Sequence, residues 1–154
     1  MSTKVTRNIL LFLLGLLGVG ALFGGTVLVI SPSGKLFGMP LSLLEGSPFN
    51  NFLIPGIVLL LALGAFPMLT FFALINAPVS RLAEKLNVFG DMHWAWSFTI
   101  YVAFVLIAWI QAEMYFLHAV HWLHSLYMFI AIAILFVALL PKLRNSYKKR
   151  SGTS

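Results

Sequence analysis

Four long apolar stretches alternate with short polar segments along the chain. Their residue ranges are 9–30, 52–76, 94–116 and 122–140. Three of them carry no charged residue, and the remaining one carries only Glu113, near its end. Each stretch is long enough to cross about 30 Å of hydrocarbon as an α-helix, in which the backbone satisfies its own hydrogen bonds. The pattern predicts an all-α fold, an integral membrane four-helix bundle that occupies residues 1–154 as a single transmembrane domain.

Composition and cysteine content narrow the classes further. Apolar residues make up 60% of the chain and charged residues only 9%, whereas a soluble domain has about 25% charged residues. These values exclude a water-soluble globule. The chain has no cysteine, which excludes disulfide frameworks, thiolate metal sites and covalently attached c-type haem. Lys4 and Arg7 precede the first stretch as in a signal peptide, but its long apolar run without a clean cleavage site favours a retained span.

The Lys and Arg residues are distributed unevenly between the connecting segments. Of the 10 in the chain, only Lys35 lies in the first or third loop. The others lie in the N-terminal tail, the second loop and the basic tail 141–154. Such residues concentrate on the cytoplasmic side of membrane proteins, so both termini are predicted to be cytoplasmic. The same clustering accounts for the net charge of +6, and it predicts contact with the lipid bilayer and no nucleic-acid partner.

Glycine and proline in the first two stretches predict how the helices pack. Gly20 and Gly24 form a small-xxx-small pair, a pattern that lets helix backbones approach closely in membranes. We expect this Gly20/Gly24 face to pack against another helix of the chain, a membrane protein partner or a second copy in a homo-oligomer. The alternative is an unwound segment that lines a substrate path. Pro67 cannot donate a hydrogen bond to the carbonyl of Leu63, which predicts a kink in the second stretch.

The first loop, residues 31–50, is predicted to be ordered over the outer face of the bundle. It begins with the Pro and Gly positions of a tight turn. Pro40 can open a short leucine-rich helix that lies on the bilayer surface and ends at Gly46. Ser47 followed by Pro48 is typical of a helix start, so the second spanning helix is expected to begin there.

Several short motifs in this region resemble those of a known group of proteins. They are, in series, Gly24-Gly25, Pro32-Ser33-Gly34, Gly38-Met39-Pro40, Ser47-Pro48-Phe49 and Pro55-Gly56. Over residues 20–60 the chain resembles small bacterial four-span membrane proteins that carry Gly-Gly, PSG, GMP, SPF and PG in this order. An acidic residue often precedes PSG in that group, and here the position is Ser31. The group has no established activity, so the resemblance implies no role for any residue.

Polar side chains near the predicted outer face form one candidate site. Glu113 is the only charge within a predicted span, where an ionisable group is by default a candidate for function. His118, His121 and His124 follow, and on one helix they would spread across about 120° of its surface. Two of these imidazoles, with Glu113 or Glu45, have the chemistry to ligate a metal. The simpler interpretation is that the histidines hydrogen-bond to headgroups, loop carbonyls and water.

The sequence indicates no catalytic centre. His93 and Asp91 lie on the predicted cytoplasmic side, away from the other histidines. We find no paired aspartates of a membrane protease, no deep carboxylate of a small multidrug antiporter, no Ser-His-Asp arrangement and no phosphate loop. We therefore expect a non-enzymatic accessory or assembly subunit of a larger complex in the bacterial cytoplasmic (inner) membrane, without a cofactor. The alternative is a small-molecule or metal-binding membrane protein that uses Glu113 and the three outer histidines.

Overall fold

The computed structural model describes residues 2–150, which form helices, turns and one isolated β-bridge. The α-helices are α1 Thr3–Ile30, α2 Leu53–Val58, α3 Phe66–Asn76, α4 Arg81–Lys85, α5 Trp94–Leu117, α6 Trp122–Leu139 and α7 Pro141–Ser146. A π-helical stretch, Leu59–Ala65, joins α2 to α3, and 3-10 turns at Lys35–Phe37 and Leu41–Leu44 lie in the first loop. The predicted all-α fold is confirmed.

Four helical segments are long and apolar enough to cross a membrane. They are α1, the continuous second segment Leu53–Asn76, α5 and α6. Their ends lie within one residue of the predicted bounds, except at the start of α1. This helix begins at Thr3 because the Ser2 hydroxyl accepts a hydrogen bond from the backbone N–H of Val5 at 3.3 Å and so caps the first turn.

The four segments form a bundle whose core consists of apolar side chains. α1 packs against the second segment and α6, and α5 packs against the same two, so α1 and α5 occupy opposite corners. Large side chains such as Leu14, Trp96, Leu106 and Ile134 are fully buried between them. Burial of such side chains gives about 1.5–3 kcal/mol each when they leave water. In lipid, the same close packing acts through dispersion contacts.

The hydroxyl groups buried in this interior all have acceptors. Residues 2–150 contain four buried Ser or Thr side chains, namely Thr6, Thr70, Ser97 and Thr99. The three threonines donate to the backbone carbonyls four residues earlier in the chain, at 3.0–3.2 Å. Ser97 donates to the side-chain oxygen of Asn87. The interior hydroxyls are therefore satisfied within the chain, as buried polar groups require.

Glycine residues bring α1 and the second segment into backbone contact. A Cβ atom placed on Gly25 would lie 2.7 Å from the backbone nitrogen of Leu60, and one on Gly64 would lie 3.1 Å from the backbone nitrogen of Leu22. Gly56 is equally close, because its added Cβ would lie 2.7 Å from the Cβ of Leu28. Real Cβ atoms essentially never come within 3.0 Å of another atom, so Gly25 and Gly56 accept no larger residue without a shift, and at Gly64 the neighbour would have to move by a few tenths of an ångström.

The pair named by the sequence pattern is not the pair in closest contact. An added Cβ on Gly24 would lie 3.5 Å from a methyl of Leu59, which is an ordinary distance. One on Gly20 would lie 3.2 Å from the hydroxyl of Tyr127. Gly18 and Gly25 make the tighter approaches, at 2.7 Å, because residues seven apart face the second segment along the same side of α1.

The irregularity expected at Pro67 is a π-helical stretch. It occupies the seven residues Leu59–Ala65, and the backbone N–H of Phe66 donates to the carbonyl of Leu61, five residues earlier. The wider turn comes directly before the proline, whose missing N–H leaves a gap in the ordinary i to i−4 ladder. A disturbance of the helix thus lies where the sequence predicted one, and π-helical turns are among the known causes of the kink that was expected.

The two ends of the bundle differ in charge. We name residues 2–8, 77–93 and 140–150 the basic end, and residues 31–52 and 113–125 the loop end. Every Lys and Arg in the described chain belongs to the basic end, except Lys35. The segments of each end meet in space, since the N–H of His93 donates to the carbonyl of Tyr147 at 2.8 Å and the N–H of Phe52 donates to the carbonyl of Pro32 at 2.8 Å.

Candidate functional site

The first loop forms an ordered cover at the loop end. Leu44 and Phe52 are buried against Leu28 of α1. The leucine-rich turn was expected to lie on the bilayer surface, and for Leu44 this expectation was wrong. The ring of Phe49 packs edge-on against Phe116 of α5, with 5.8 Å between the centroids. The loop therefore ties the ends of three spanning segments together and places its polar atoms near the α5–α6 connection.

The local start signal for the second segment was predicted wrongly. The helix begins at Leu53, one residue from the predicted start of the apolar run, and not at Ser47 and Pro48. The hydroxyl of Ser47 donates to the carbonyl of Leu44 at 2.8 Å and accepts from the N–H of Phe49 at 3.2 Å, so it closes a turn and does not cap a helix. Asn51 provides the local start signal, because its side-chain oxygen accepts from the N–H of Leu53 at 3.0 Å.

The three outer histidines do not share one helix. α5 ends at Leu117, and His118 follows in the left-handed conformation with φ of 49°. His121 has an extended backbone and is the N-cap of α6, while His124 lies in the first turn of that helix. The arrangement across about 120° of one helix surface therefore does not exist, because the chain reverses direction between His118 and His121.

Glu113 and His124 are brought together across the α5–α6 contact. Oε2 of Glu113 lies 3.8 Å from Nε2 of His124, and the side chains are 33% and 11% exposed, respectively. The indole of Trp109, one turn earlier on α5, lies next to the same carboxylate. These three side chains form a polar cluster at the loop end, and we name it the Glu113 cluster.

Two of the histidines use a ring nitrogen to cap α6. Nδ1 of His124 accepts from the backbone N–H of His121 at 3.0 Å, and Nδ1 of His121 accepts from the N–H of Leu123 at 3.4 Å. A neutral imidazole that accepts at Nδ1 carries its proton at Nε2. The Nε2–H of His124 therefore points a donor towards Glu113, and a metal would need that same nitrogen deprotonated.

His118 and Glu45 lie apart from the Glu113 cluster. The imidazole of His118 neighbours Tyr115, with 6.4 Å between the ring centroids, and approaches Gly46 of the first loop. Glu45 ends the second 3-10 turn and is exposed. Within residues 2–150, no three His, Cys, Asp or Glu side chains come close enough to hold a metal ion. Metal ligation by the predicted set stays a hypothesis for experiment.

The basic end contains a polar arrangement that the sequence did not reveal. The second loop and the C-terminal tail pair as a short antiparallel bridge. The N–H of His93 donates to the carbonyl of Tyr147 at 2.8 Å, and the N–H of Lys149 donates to the carbonyl of Asp91 at 2.9 Å. The sequence of the tail shows only a run of positive charges, but backbone hydrogen bonds attach the tail to the second loop.

Glu84 and Lys149 hold this pairing together through their side chains. The ammonium of Lys149 lies 2.7 Å from Oε2 of Glu84 and donates to the carbonyl of Gly90 at 3.1 Å. Burial alone would raise the pKa of Glu84, but hydrogen bonds from Lys149 and Asn87, together with the Lys149 charge, hold that pKa below its ordinary value. The carboxylate is thus stabilised in its charged form.

Asn87 connects the same network to the helices. Its amide nitrogen donates to Glu84 at 3.1 Å and to the carbonyl of Met92 at 2.8 Å. Its oxygen accepts from the N–H of Phe89 at 3.0 Å and from the hydroxyl of Ser97 in α5. We name Glu84, Asn87 and Lys149 the tail latch. The partners are up to 65 residues apart in sequence, so no local pattern could have predicted it.

Two aromatic side chains at the basic end donate hydrogen bonds to backbone carbonyls of the long helices. The hydroxyl of Tyr147 donates to the carbonyl of Leu74 at 2.8 Å, and the indole of Trp96 donates to the carbonyl of Ala138 at 2.8 Å. Burial raises the pKa of the Tyr147 hydroxyl, an effect that the nearby Arg7 partly opposes. Trp96 is 2% exposed and its hydrogen bond joins α5 to α6.

An exposed apolar segment lies beside the tail latch. Val79 is 95% exposed, Leu82 71% and Val88 81%, although none of them belongs to a spanning helix. Arg81 and Lys85 lie between them along the chain and are exposed as well. We name residues 78–89 the interfacial segment, because it combines apolar side chains with cations at the end of the bundle.

The chain matches no protein family model, no curated protein and no solved structure.

Proposed function

We propose that the protein is inserted in a bacterial cytoplasmic membrane by its four apolar segments, with the basic end in the cytoplasm. Large apolar side chains such as Phe12, Phe23, Phe129 and Phe136 are more than half exposed around the bundle. Lipid is the solvent that suits such a surface. The concentration of Lys and Arg at one end supports the orientation.

The interfacial segment supports the same placement. Its exposed apolar residues would be costly in water, but a bilayer surface accepts them while Arg81 and Lys85 reach lipid phosphates. The tail latch holds this segment firmly to the bundle, so its position relative to the spanning helices is fixed. We infer that the bilayer surface lies at the level of residues 78–89.

Within the membrane, the protein acts as a non-enzymatic accessory or assembly subunit of a larger complex. One observation carries this proposal. The side chains buried between the helices are mostly apolar, and the four buried Ser and Thr hydroxyls have acceptors in the same chain. A bundle packed in this way interacts through its outer surface. The outward-facing aromatic residues are suited to contact another membrane protein.

In-cell photo-crosslinking tests this proposal. A photo-reactive phenylalanine analogue is placed at Phe23, Phe72 or Phe129, which are exposed on three different spanning segments, and at the buried Phe52 as the control. We expect one exposed position to form an adduct with a single membrane protein whose steady-state amount falls when this chain is deleted. Adducts with lipid alone, or a crosslinked protein whose amount does not change on deletion, would contradict the accessory role.

The second candidate is a small-molecule-binding protein that uses the Glu113 cluster. A carboxylate in a spanning helix beside an imidazole N–H is the feature that favours it. The capping role of Nδ1 in His121 and His124 argues for a polar organic ligand over a metal, because each ring presents a donor at Nε2. Metal analysis of the purified protein separates the cases, since stoichiometric metal that a chelator removes would restore the metal hypothesis.

A further inference from the structure

The outward face of α5 carries the only glutamine of the chain, Gln111. Phe104, Ala108, Gln111 and Tyr115 are all exposed, and their spacing of four, three and four residues places them on one side of the helix. Glu113 points to the opposite side, towards His124. We name the four exposed residues the α5 stripe.

The amide of Gln111 has no hydrogen-bond partner within the described part of the chain. α5 has 24 residues and is therefore about 36 Å long, and Gln111 lies about 9 Å from its loop end. With about 30 Å of hydrocarbon around the helix, this depth is inside the apolar layer. An amide left without partners there is unfavourable, because lipid chains neither donate nor accept hydrogen bonds.

The residues around Gln111 leave room for another helix. Ala108 is one turn away on the same face, and a small side chain at that position lets a second backbone approach. The exposed stripe on α1 is a useful contrast, since Phe12, Leu16, Val19 and Phe23 have the same four, three, four spacing but no polar group. The α1 stripe suits lipid, whereas the α5 stripe suits a partner that hydrogen-bonds.

We propose that the α5 stripe is the docking surface for a second copy of this chain, with the two Gln111 amides hydrogen-bonded to each other. Two copies inserted in the same orientation hold Gln111 at the same depth. A two-fold axis along the membrane normal then brings like residues together, as in other symmetric dimers. A carboxamide is its own complement, because each amide both donates through nitrogen and accepts through oxygen.

The dimer rests on the proposed membrane insertion but not on the accessory role. It also differs from the homo-oligomer expected from the Gly20/Gly24 face, whose glycines contact Tyr127 and Leu59 of the same chain. Crosslinking therefore distinguishes the two surfaces, and extraction of membranes with alkaline carbonate reports insertion separately. A chain released by carbonate would contradict insertion, whereas a retained chain that fails to crosslink at α5 would contradict only the dimer.

Single-cysteine crosslinking in isolated membranes tests the proposal, since the chain has no cysteine of its own. Ala108→Cys places a thiol on the α5 stripe, and Phe23→Cys places one at comparable depth on the α1 stripe as the matched control. Oxidation is expected to convert the Ala108→Cys protein to a disulfide-linked dimer and to leave the Phe23→Cys protein monomeric. Equal dimer yields at both positions, or adducts of the Ala108→Cys protein with a different chain, would overturn the proposal.

A second variant tests the role of the amide itself. Gln111→Leu, in the Ala108→Cys background, is expected to weaken association by roughly three- to thirtyfold, as interhelical hydrogen bonds in membranes do. Gln111→Asn is expected to keep association closer to that of the parent. Because Gln111 makes no hydrogen bond within the chain, the thermal unfolding of the monomer should not change. An undiminished dimer yield in the Gln111→Leu protein would contradict the amide pairing.

Discussion

The basic end and the loop end are held together by different forces. At the basic end, Glu84, Asn87 and Lys149 join segments that are distant in sequence through hydrogen bonds and an ion pair. The loop end is held by a small apolar cluster and local histidine caps, and by the close helix contact at Gly25 and Gly56 directly beside it. The basic end is thus stabilised by polar contacts between residues that are far apart in sequence. The loop end is stabilised by close packing and by contacts between residues that are close in sequence.

The largest effect is expected from filling the glycine contact near the loop end. Gly25→Ala forces a Cβ atom against the backbone of Leu60, which should destabilise the bundle by about 3 kcal/mol. Gly24→Ala is the matched control, because its Cβ would lie 3.5 Å from the nearest atom, a methyl of Leu59, and it should cost less than about 1 kcal/mol. Thermal unfolding in detergent measures both. Equal losses would mean that packing at Gly25 is not special.

A smaller but clear effect is expected at the tail latch. Asn87→Ala leaves the hydroxyl of Ser97 and the carbonyl of Met92 without their partners, so we expect a loss of about 2–3 kcal/mol. Asn145→Ala removes an exposed amide from α7 and should stay within about 0.5 kcal/mol of the parent. If the two variants unfolded alike, the network would not contribute to the stability of the basic end.

The histidine caps predict an intermediate effect at the loop end. His121→Ala removes the N-cap acceptor of α6 and should cost about 1 kcal/mol, whereas His121→Asn should retain most of the stability, because Asn is a strong N-cap residue. His118→Ala should change the stability by about 0.5 kcal/mol or less, since His118 ends α5 through its backbone and its side chain makes no hydrogen bond within residues 2–150. Loss of stability on chelation, in the parent but not in these variants, would contradict the capping interpretation.

The smallest effect concerns the pH dependence of the ion pair. The pKa of Glu84 is lowered in the folded protein, so its contribution is fully present above the unfolded pKa, about 4.3, and is lost as the pH falls through the lower folded value. Both side chains are partly exposed, so we expect no more than about 1 kcal/mol. Glu84→Gln should unfold with a flatter dependence between about pH 5 and pH 3. A parent and variant with parallel profiles would contradict this role of Glu84.

The spanning segments could be predicted from sequence because their signal is local. Long apolar runs bounded by polar residues gave three of the four segments to within one residue at both ends. The start of α1 was missed because Ser2 extends the helix beyond the apolar run through Lys4 and Arg7. The apolar run placed the second segment's start within one residue of Leu53, whereas the Ser-Pro signal misplaced it, because Asn51 and the hydrogen bond from Phe52 to Pro32 outweigh that signal.

The candidate sites were less predictable because they depend on contacts between segments. The spacing of the three histidines suggested one helix, but the chain reverses between His118 and His121, and only Glu113 and His124 meet. Lys149 looked like one charge of a basic tail, and its bond to Glu84 could not be inferred from either residue's neighbours. Gln111 stands in an apolar run with no motif around it, and only its exposure on the outward face of α5 marks it as a candidate.

Cysteine accessibility in intact cells tests most directly whether the bundle spans a membrane with its basic end inside. Ser42 lies in the exposed part of the first loop at the loop end, and Ser2 lies at the basic end. Each is replaced by cysteine in a separate variant. A membrane-impermeant maleimide is expected to label the Ser42→Cys protein in intact cells and to label the Ser2→Cys protein only after the cells are opened. Labelling of the Ser2→Cys protein in intact cells, or protection of the Ser42→Cys protein, would contradict the proposed orientation.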